Sequence, residues 1–251
     1  MPNFKLTIEY DGTDFCGWQI QRANERTVQA EIKKALEKIV KHPVTVIGAG
    51  RTDSGVHALG QVAHVRLSSS ITPFVLLKAL NANLPEDIAI LGVKKVSDVF
   101  HAQFSARSKI YRYTILNRES RCAKERKFCL HIRQPIDIPM LTKAARVFIG
   151  RHDFRAFRGS ATSQKRRDKS KTTVRTVNKI VLRRRKDFIF CDIEANGFLY
   201  KMVRNIVGTL LDVSAGRIRP KDLKAIMASG DRRKAGKTAA AHGLCLYKVN
   251  Y

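Results

Sequence analysis

Two observations predict an α+β protein. Strand-like and helix-like periodicities alternate in the order β-α-β-β-α-β, and the same order returns in the second part of the chain. Two ferredoxin-like halves, residues 1–103 and 104–251, are expected. Joined edge to edge, they would form one broad, mainly antiparallel sheet with helices packed on one side and a cleft at the junction. No repeat is visible residue by residue, so the duplication rests on element order.

Each element has a local cause. Phe4-Lys5-Leu6-Thr7-Ile8-Glu9-Tyr10 alternates as a strand does, and Asp11-Gly12 turns it. Thr27 caps a helix in which Val28, Ile32, Leu36 and Ile39 recur at helical spacing. Residues 44–47 read as a short buried strand. Residues 61–67 read as another, with Ala63, Val65 and Leu67 on one face and His64 and Arg66 on the other. Thr72-Pro73 opens a second helix to about Asn81, since proline is tolerated at a first helical position. A strand over 88–96 closes the first half. In the second half, 109–116 is a strand, and Ile138-Pro139 opens a helix through Leu141, Ala144, Ala145 and Phe148. Residues 174–182 and 188–193 form a strand pair, 198–213 a long helix, 220–228 an extra one, and 244–249 a final strand.

Composition narrows the function. The 251 residues are 44% hydrophobic, enough for real cores, and no apolar run approaches the roughly 18 residues that a membrane span needs. The first residues lack a signal-peptide layout. Five cysteines, an odd number without a C-x-x-C pair, and scattered histidines argue against a disulfide framework or a zinc site, and for a reduced, cytoplasmic setting. The dominant fact is 48 Lys+Arg against 21 Asp+Glu, a formal charge of +27. Such self-repulsion favours a polyanionic partner, and nucleic acid fits best, because neutralised phosphates release counterions. An amphipathic membrane helix with opposed basic and apolar faces is not found. The basic density peaks over 155–171, with Arg155, Arg158, Lys165, Arg166, Arg167, Lys169 and Lys171. This stretch reads either as solvated surface or as an RNA-contacting arm.

The link between the strands at 44–47 and 61–67 is too long for a plain hairpin. It holds Gly48, Gly50 and Gly55 before closing on Gly60, and an Arg-x-Asp, Arg51 and Asp53. Asp53 could cap a local turn through Ser54-Gly55 while Arg51 faces water. The spacing matches neither phosphate-binding glycine motif, so a nucleotide cradle is not indicated.

Gly50-Arg51-Thr52-Asp53-Ser54-Gly55-Val56-His57-Ala58 resembles the signature of the TruA family of tRNA pseudouridine synthases, with Ser54 where the family usually has Ala. The resemblance runs through most of the chain. Tyr10-Asp11-Gly12 with Phe15, Gly17, Trp18 and Gln19 is similar to a family segment, and Trp18 is equally readable as core. Ala106-Arg107-Ser108-Lys109-Ile110-Tyr111-Arg112-Tyr113 resembles A-R-x-R-x-Y-x-Y, with Lys109 for the second Arg. Gly150, His152, Asp153 and Phe154 match another family pattern. Gly197 to Gly208 resembles G-x-x-F/L-x-x-M-V-R-x-I-x-G, and Gly243-Leu244-Cys245-Leu246 resembles G-L-x-L, with Ala240 where relatives often carry Pro. The loop after Phe154 is longer and more basic than the family pattern.

The resemblance implies the pseudouridine synthase fold and isomerisation of uridine to pseudouridine without any cofactor. It makes Asp53 the catalytic carboxylate, which must be ionised to act as nucleophile or base. It makes Arg51 the residue that helps flip the uridine, where unstacking costs a few kcal/mol and needs compensation. Arg204 becomes the charge partner of Asp53, Tyr111 the ring that stacks on the target base, and Leu244 an apolar contact to it. Bland roles compete: an exposed helix arginine for Arg204, core aromatics for Tyr111 and Tyr113, plain core for Leu244. His57 reads as structural. The implied substrate is tRNA, at uridines 38, 39 and 40 of the anticodon stem-loop, and the implied assembly a homodimer. The competing functions are a non-catalytic RNA-binding or RNA-folding protein on this scaffold and a synthase for other RNA sites. If basic surface supplies the affinity, tRNA binding weakens steeply between about 50 and 200 mM salt. A Kd that stays flat across a salt titration contradicts this.

Overall fold

The computed structural model describes residues 1–21, 25–68, 70–159 and 172–251. It divides into two compact units, Met1–Lys109 with Cys245–Tyr251, and Ile110–Leu244. The first boundary falls at 109/110. The last strand sorts differently from expectation, because it pairs with the first unit.

The first unit follows the βαββαβ order: β1 (Asn3–Tyr10), α1 (Val28–Val40), β2 (Val46–Gly48), β3 (His57–Arg66), α2 (Pro73–Asn83) and β4 (Ile88–Val96). β1 lies between β4 and β3, antiparallel to both. The far edge of β3 carries β2 antiparallel at its C-terminal end. At the N-terminal end of β3 the final strand, β10 (Leu244–Asn250), joins in parallel, with Cys245 opposite His57 and Leu246 opposite Ala58. That pairing places residues 245–251 in the first unit. Phe4, Leu6, Ile8 and Tyr10 are all buried, as the period-2 pattern requires. Helix α1 buries Val28, Ile32, Ala35 and Leu36, and the Thr27 hydroxyl accepts the Ala30 N–H at its start. Helix α2 opens on Thr72 and Pro73, buries Leu76 and Leu80, and continues to Asn83.

The second unit contains β5 (Ser108–Asn117, its first two residues belonging to the first unit), β6 (Leu130–Ile132), α3 (Ile138–Ala145), β7 (Gly150–Asp153), β8 (Val174–Arg185), β9 (Phe188–Ala195), α4 (Met202–Ser214) and α5 (Leu223–Ser229). Its strands run β5-β9-β8-β7, with β6 parallel to β5. Arg112 on β5 makes a two-pronged ion pair with Asp192 on β9, at 2.7 and 2.9 Å. Helices α3 and α4 pack together, and Tyr113, Phe148, Phe154, Phe157 and Ile206 are fully buried. The α+β class with mainly antiparallel sheets holds in both units.

Several boundaries differ from expectation. Strand β3 begins at His57, inside the motif, so the connecting loop is only 49–56. His64 is buried beside Ala102, whose N–H donates to its Nδ1 at 3.1 Å, instead of facing water. The long helix begins at Met202, not 198, because Lys201 before it is left-handed at φ 58° and Phe198 packs edge-on against Tyr111, 5.0 Å between centroids. Short β6 and β7 carry too few residues to show a period. Most of the expected basic arm, 160–171, lies outside the described residues. All five cysteines are free thiols.

Burial, then the nearby His101 and Arg66, push the His64 pKa below its ordinary 6.5. The unfolded chain therefore takes up this proton first, and the stability contributed by neutral His64 is present above about pH 6.5 and lost as pH falls below it. His64→Gln should flatten the part of the denaturant stability profile that falls just below pH 6.5, while wild type declines there.

Candidate functional site

The motif loop 49–56 is held from beneath by backbone packing that only glycine permits. A Cβ on Gly12 would lie 2.0 Å from the Val56 carbonyl oxygen, and one on Gly17 2.6 Å from that of Thr52. Gly17 is also left-handed, at φ 96°. Gly48 admits the indole of Trp18, which is buried at 1% exposure against the loop's entry and lies 6.2 Å from the Tyr10 ring. The core role of Trp18 and its place in the motif are thus one role.

Hydrogen bonds close the loop. The Tyr10 and Thr52 hydroxyls are 2.8 Å apart in a buried site, and the Trp18 N–H donates to the Thr52 carbonyl at 3.2 Å. Gln61 Nε2 donates to the Gly50 carbonyl, and Ser54 Oγ and the Gly55 N–H both reach the Phe15 carbonyl. The Val56 N–H donates to the Asp53 carbonyl across a turn whose third residue, Gly55, has φ 73°. That is the requirement of a type II turn, and the one place in the loop where a glycine is needed for positive φ. His57 is structural: its Nδ1 accepts the Gly12 N–H at 3.0 Å.

Thr52 is turned inward and buried, leaving Arg51 exposed and Asp53 half-buried on either side of it. The Arg-x-Asp spacing thus presents a cation and a carboxylate around one anchored residue. Lys109 adds a second cation close by, its Nζ within 3.4 Å of where a Gly50 Cβ would stand. Asp53 opens the turn at Ser54-Gly55 through its backbone carbonyl.

In the second unit, Tyr111 is buried at 7% exposure on the same strand face as Tyr113. The Tyr113 hydroxyl donates to the Ala240 carbonyl at 2.9 Å, and burial pushes this phenol's pKa up, against the opposing pull of Arg204. Arg204, on α4, donates through Nε to the adjacent Ala239 carbonyl at 2.8 Å, and its own carbonyl accepts the Ala239 N–H. It is therefore no free surface arginine. The segment 236–240 lies directly on α4 because Gly208 has no side chain: a Cβ there would meet the Lys237 carbonyl oxygen at 1.7 Å. Buried Asn205 takes Thr238 Oγ1 and Arg232 on its Oδ1 and donates to the Phe157 carbonyl. Leu244, 5% exposed, begins β10 just beyond this strap.

The five sequence-predicted residues thus stand as two groups, Arg51 and Asp53 on a pinned loop, and Tyr111, Arg204 and Leu244 within the second unit. Sequence reading missed the supports: Tyr10, Gln61, Asn205 and Thr238. Each lies within three residues of a glycine of close approach (Gly12, Gly60, Gly208, Gly236), and Tyr10 also opens a segment similar to the family's. Among the described residues no cluster of three His, Cys, Asp or Glu could hold a metal ion.

A pinned loop presenting Arg51 and Asp53 and an arginine helix held by a strap lie in α+β units of a chain whose charge suits RNA. Comparison with known proteins agrees. The profile of the tRNA pseudouridine synthase family matches residues 6–105 and 144–251. The chain is 46% identical to the tRNA pseudouridine synthase A of Thermoanaerobacter sp. strain X514, with the whole of both chains aligned. It is 44% identical to that of Acetivibrio thermocellus and 43% identical to the tRNA pseudouridine synthase A 2 of Clostridium perfringens, again over all of each chain. The chain belongs to the tRNA pseudouridine synthase family.

If Thr52 aims Asp53, Thr52→Val keeps the shape but leaves the buried Tyr10 hydroxyl short of a partner. A stability loss of about 1–3 kcal/mol is expected in urea unfolding. The single-turnover rate should fall by about a hundredfold, more than tRNA affinity does, because misplacement by an ångström carries that penalty.

Proposed function

We propose that this protein isomerises uridines 38, 39 and 40 of the tRNA anticodon stem-loop to pseudouridine, with Asp53 as the catalytic carboxylate. The carrying observation is the half-buried Asp53 at the head of a turn, pinned through Thr52 to Tyr10 and Trp18 and flanked by exposed Arg51. The names of the full-length relatives support tRNA as substrate.

The reaction breaks the bond from N1 of uracil to the sugar C1′ and makes one from C5 to the same carbon. C5 loses a proton and N1 gains one, so nothing is oxidised and no group is gained. The protein must extrude the base, supply one carboxylate, and keep the detached ring from leaving. Arg51 occupies the space or grips the phosphate as the nucleotide leaves its stack. Asp53 attacks or takes a proton as a carboxylate, and the family resemblance names Arg204 as its charge partner. The ring of Tyr111 stacks on the uracil while it turns, and Leu244 closes the other side; such stacking is worth about 1–3 kcal/mol. The resemblance adds a homodimer working in the cytoplasm. No helix among the described residues is long and apolar enough to cross a membrane.

Asp53→Asn separates chemistry from binding. The expected result is wild-type folding and tRNA affinity with no detectable pseudouridine. Retained turnover would remove Asp53 from the role. Mapping the product made by wild type on a pool of tRNAs fixes the positions, and modification away from 38–40 would keep the isomerase and discard the target.

A further inference from the structure

After β4 the chain makes a turn-rich segment, residues 97–107, that carries two of the most exposed apolar side chains in the protein, Val99 at 88% and Phe104 at 78%. Single exposed hydrophobics are ordinary, but Phe104 is not isolated. Its ring lies on that of His101, 4.3 Å between centroids and 26° from parallel, and His101 in turn lies 4.8 Å from buried His64.

The stack is also rigid. His101 Nδ1 receives the backbone N–H groups of Gln103 and Phe104, both at 3.2 Å, which favours one orientation of the ring. The His101 N–H donates to Ser105 Oγ, and the Ser105 N–H returns to the His101 carbonyl. Asn3 Nδ2 holds the Ser97 and Phe100 carbonyls, and the Tyr251 hydroxyl holds that of Ala102. An aromatic face fixed in water by this many bonds is prepaid in ordering entropy for a flat partner.

Charge identifies the partner. Strand register sets Lys94, Lys5 and His64 side by side across β4, β1 and β3, spaced about 4.8 Å apart. Lys5 Nζ sits 4.5 Å from the Tyr251 ring centroid and 5.9 Å from that of Phe100. Arg66 donates to the Asp98 carbonyl, and the Asp98 carboxylate is the acid of this segment. A stacking face near the paired lysines Lys5 and Lys94 suits a nucleobase whose phosphates follow them. It suits a second copy of a chain carrying +27 much less.

We propose that Phe104, backed by His101 and flanked by Lys5 and Lys94, is a stacking platform for an unpaired base of the RNA substrate, separate from the base that is isomerised. This rests on the reading of tRNA as substrate, and the experiment keeps the two apart. Phe104→Ala, Phe104→Trp and wild type are compared for tRNA affinity at one fixed salt concentration, with wild-type pseudouridine formation measured on the same tRNA. The expected result is a Kd raised roughly five- to a hundredfold by Phe104→Ala and restored by Phe104→Trp. The new indole's emission should be quenched by tRNA and not by inorganic polyphosphate. Exposure of Phe104 leaves folding untouched by these changes, which thermal unfolding checks. Unchanged affinity in Phe104→Ala beside active wild type overturns the platform alone. A change of oligomeric state in that variant also overturns it, making the face a contact between protein copies. Wild type that neither binds tRNA nor forms product overturns both readings.

Discussion

The buried contact between the Tyr10 and Thr52 hydroxyls governs the site, because it decides which way the motif loop faces. A loop that exposes charges of both signs gains little from its own surroundings, so its conformation must be imposed from the core. Thr52 does this by turning inward, where Tyr10 satisfies its hydroxyl and Trp18 its carbonyl. The geometry leaves Arg51 and Asp53 no inward option. The contact is possible only because the 11–18 segment can press against the loop, and Gly12 and Gly17 permit that approach. Adding a methyl group at either would push on backbone, not on a yielding side-chain tip.

The second unit applies the same device to an arginine. The guanidinium of Arg204 is not positioned by a carboxylate of its own helix but by a carbonyl of the strap 236–240, which the absent side chain of Gly208 lets lie on the helix. Asn205 and Thr238 bind strap to helix from the next residues along. Tyr113, on β5, reaches the neighbouring carbonyl at Ala240. The departure from proline at 240 therefore sits where a side-chain hydroxyl already fixes the backbone, and the strap does not depend on a ring at that residue for its shape.

The sequence made the long periodic elements readable and the short ones not. In β1, α1, α2 and β4, burial recurs over enough residues for the period to outweigh local noise, and caps at Thr27 and Thr72 mark starts. Strands β6 and β7, of three and four residues, have no period to detect. The start of α4 was misplaced because Phe198 and Leu199 fit the helical stripe, while the left-handed Lys201 that interrupts it has no composition signal. His64 was read as outward-facing from alternation alone. Only the later return of residues 97–105 over that face, with Ala102 donating to the ring, buries it. For the site, the motif carried the candidate residues, but supports such as Tyr10 and Asn205 act through contacts 27 to 48 residues away in sequence, beyond any local pattern.

Charge supports the role proposed for the motif acid. Seven of the twelve described aspartates pair with arginines: Asp87 with Arg26, Asp153 with Arg155, Asp187 with Arg118, Asp192 with Arg112, Asp212 with Arg217, Asp222 with Arg219 and Asp231 with Arg233. These pairs neutralise their own neighbourhoods and leave the net excess of cations to be balanced by an outside polyanion. An acid on a loop presented to that polyanion works against binding, since it repels phosphate. Arg51 beside it would serve affinity better without it. A loop pinned so as to present a carboxylate, in a chain otherwise suited to attract RNA, favours the proposed chemistry on the RNA over binding alone.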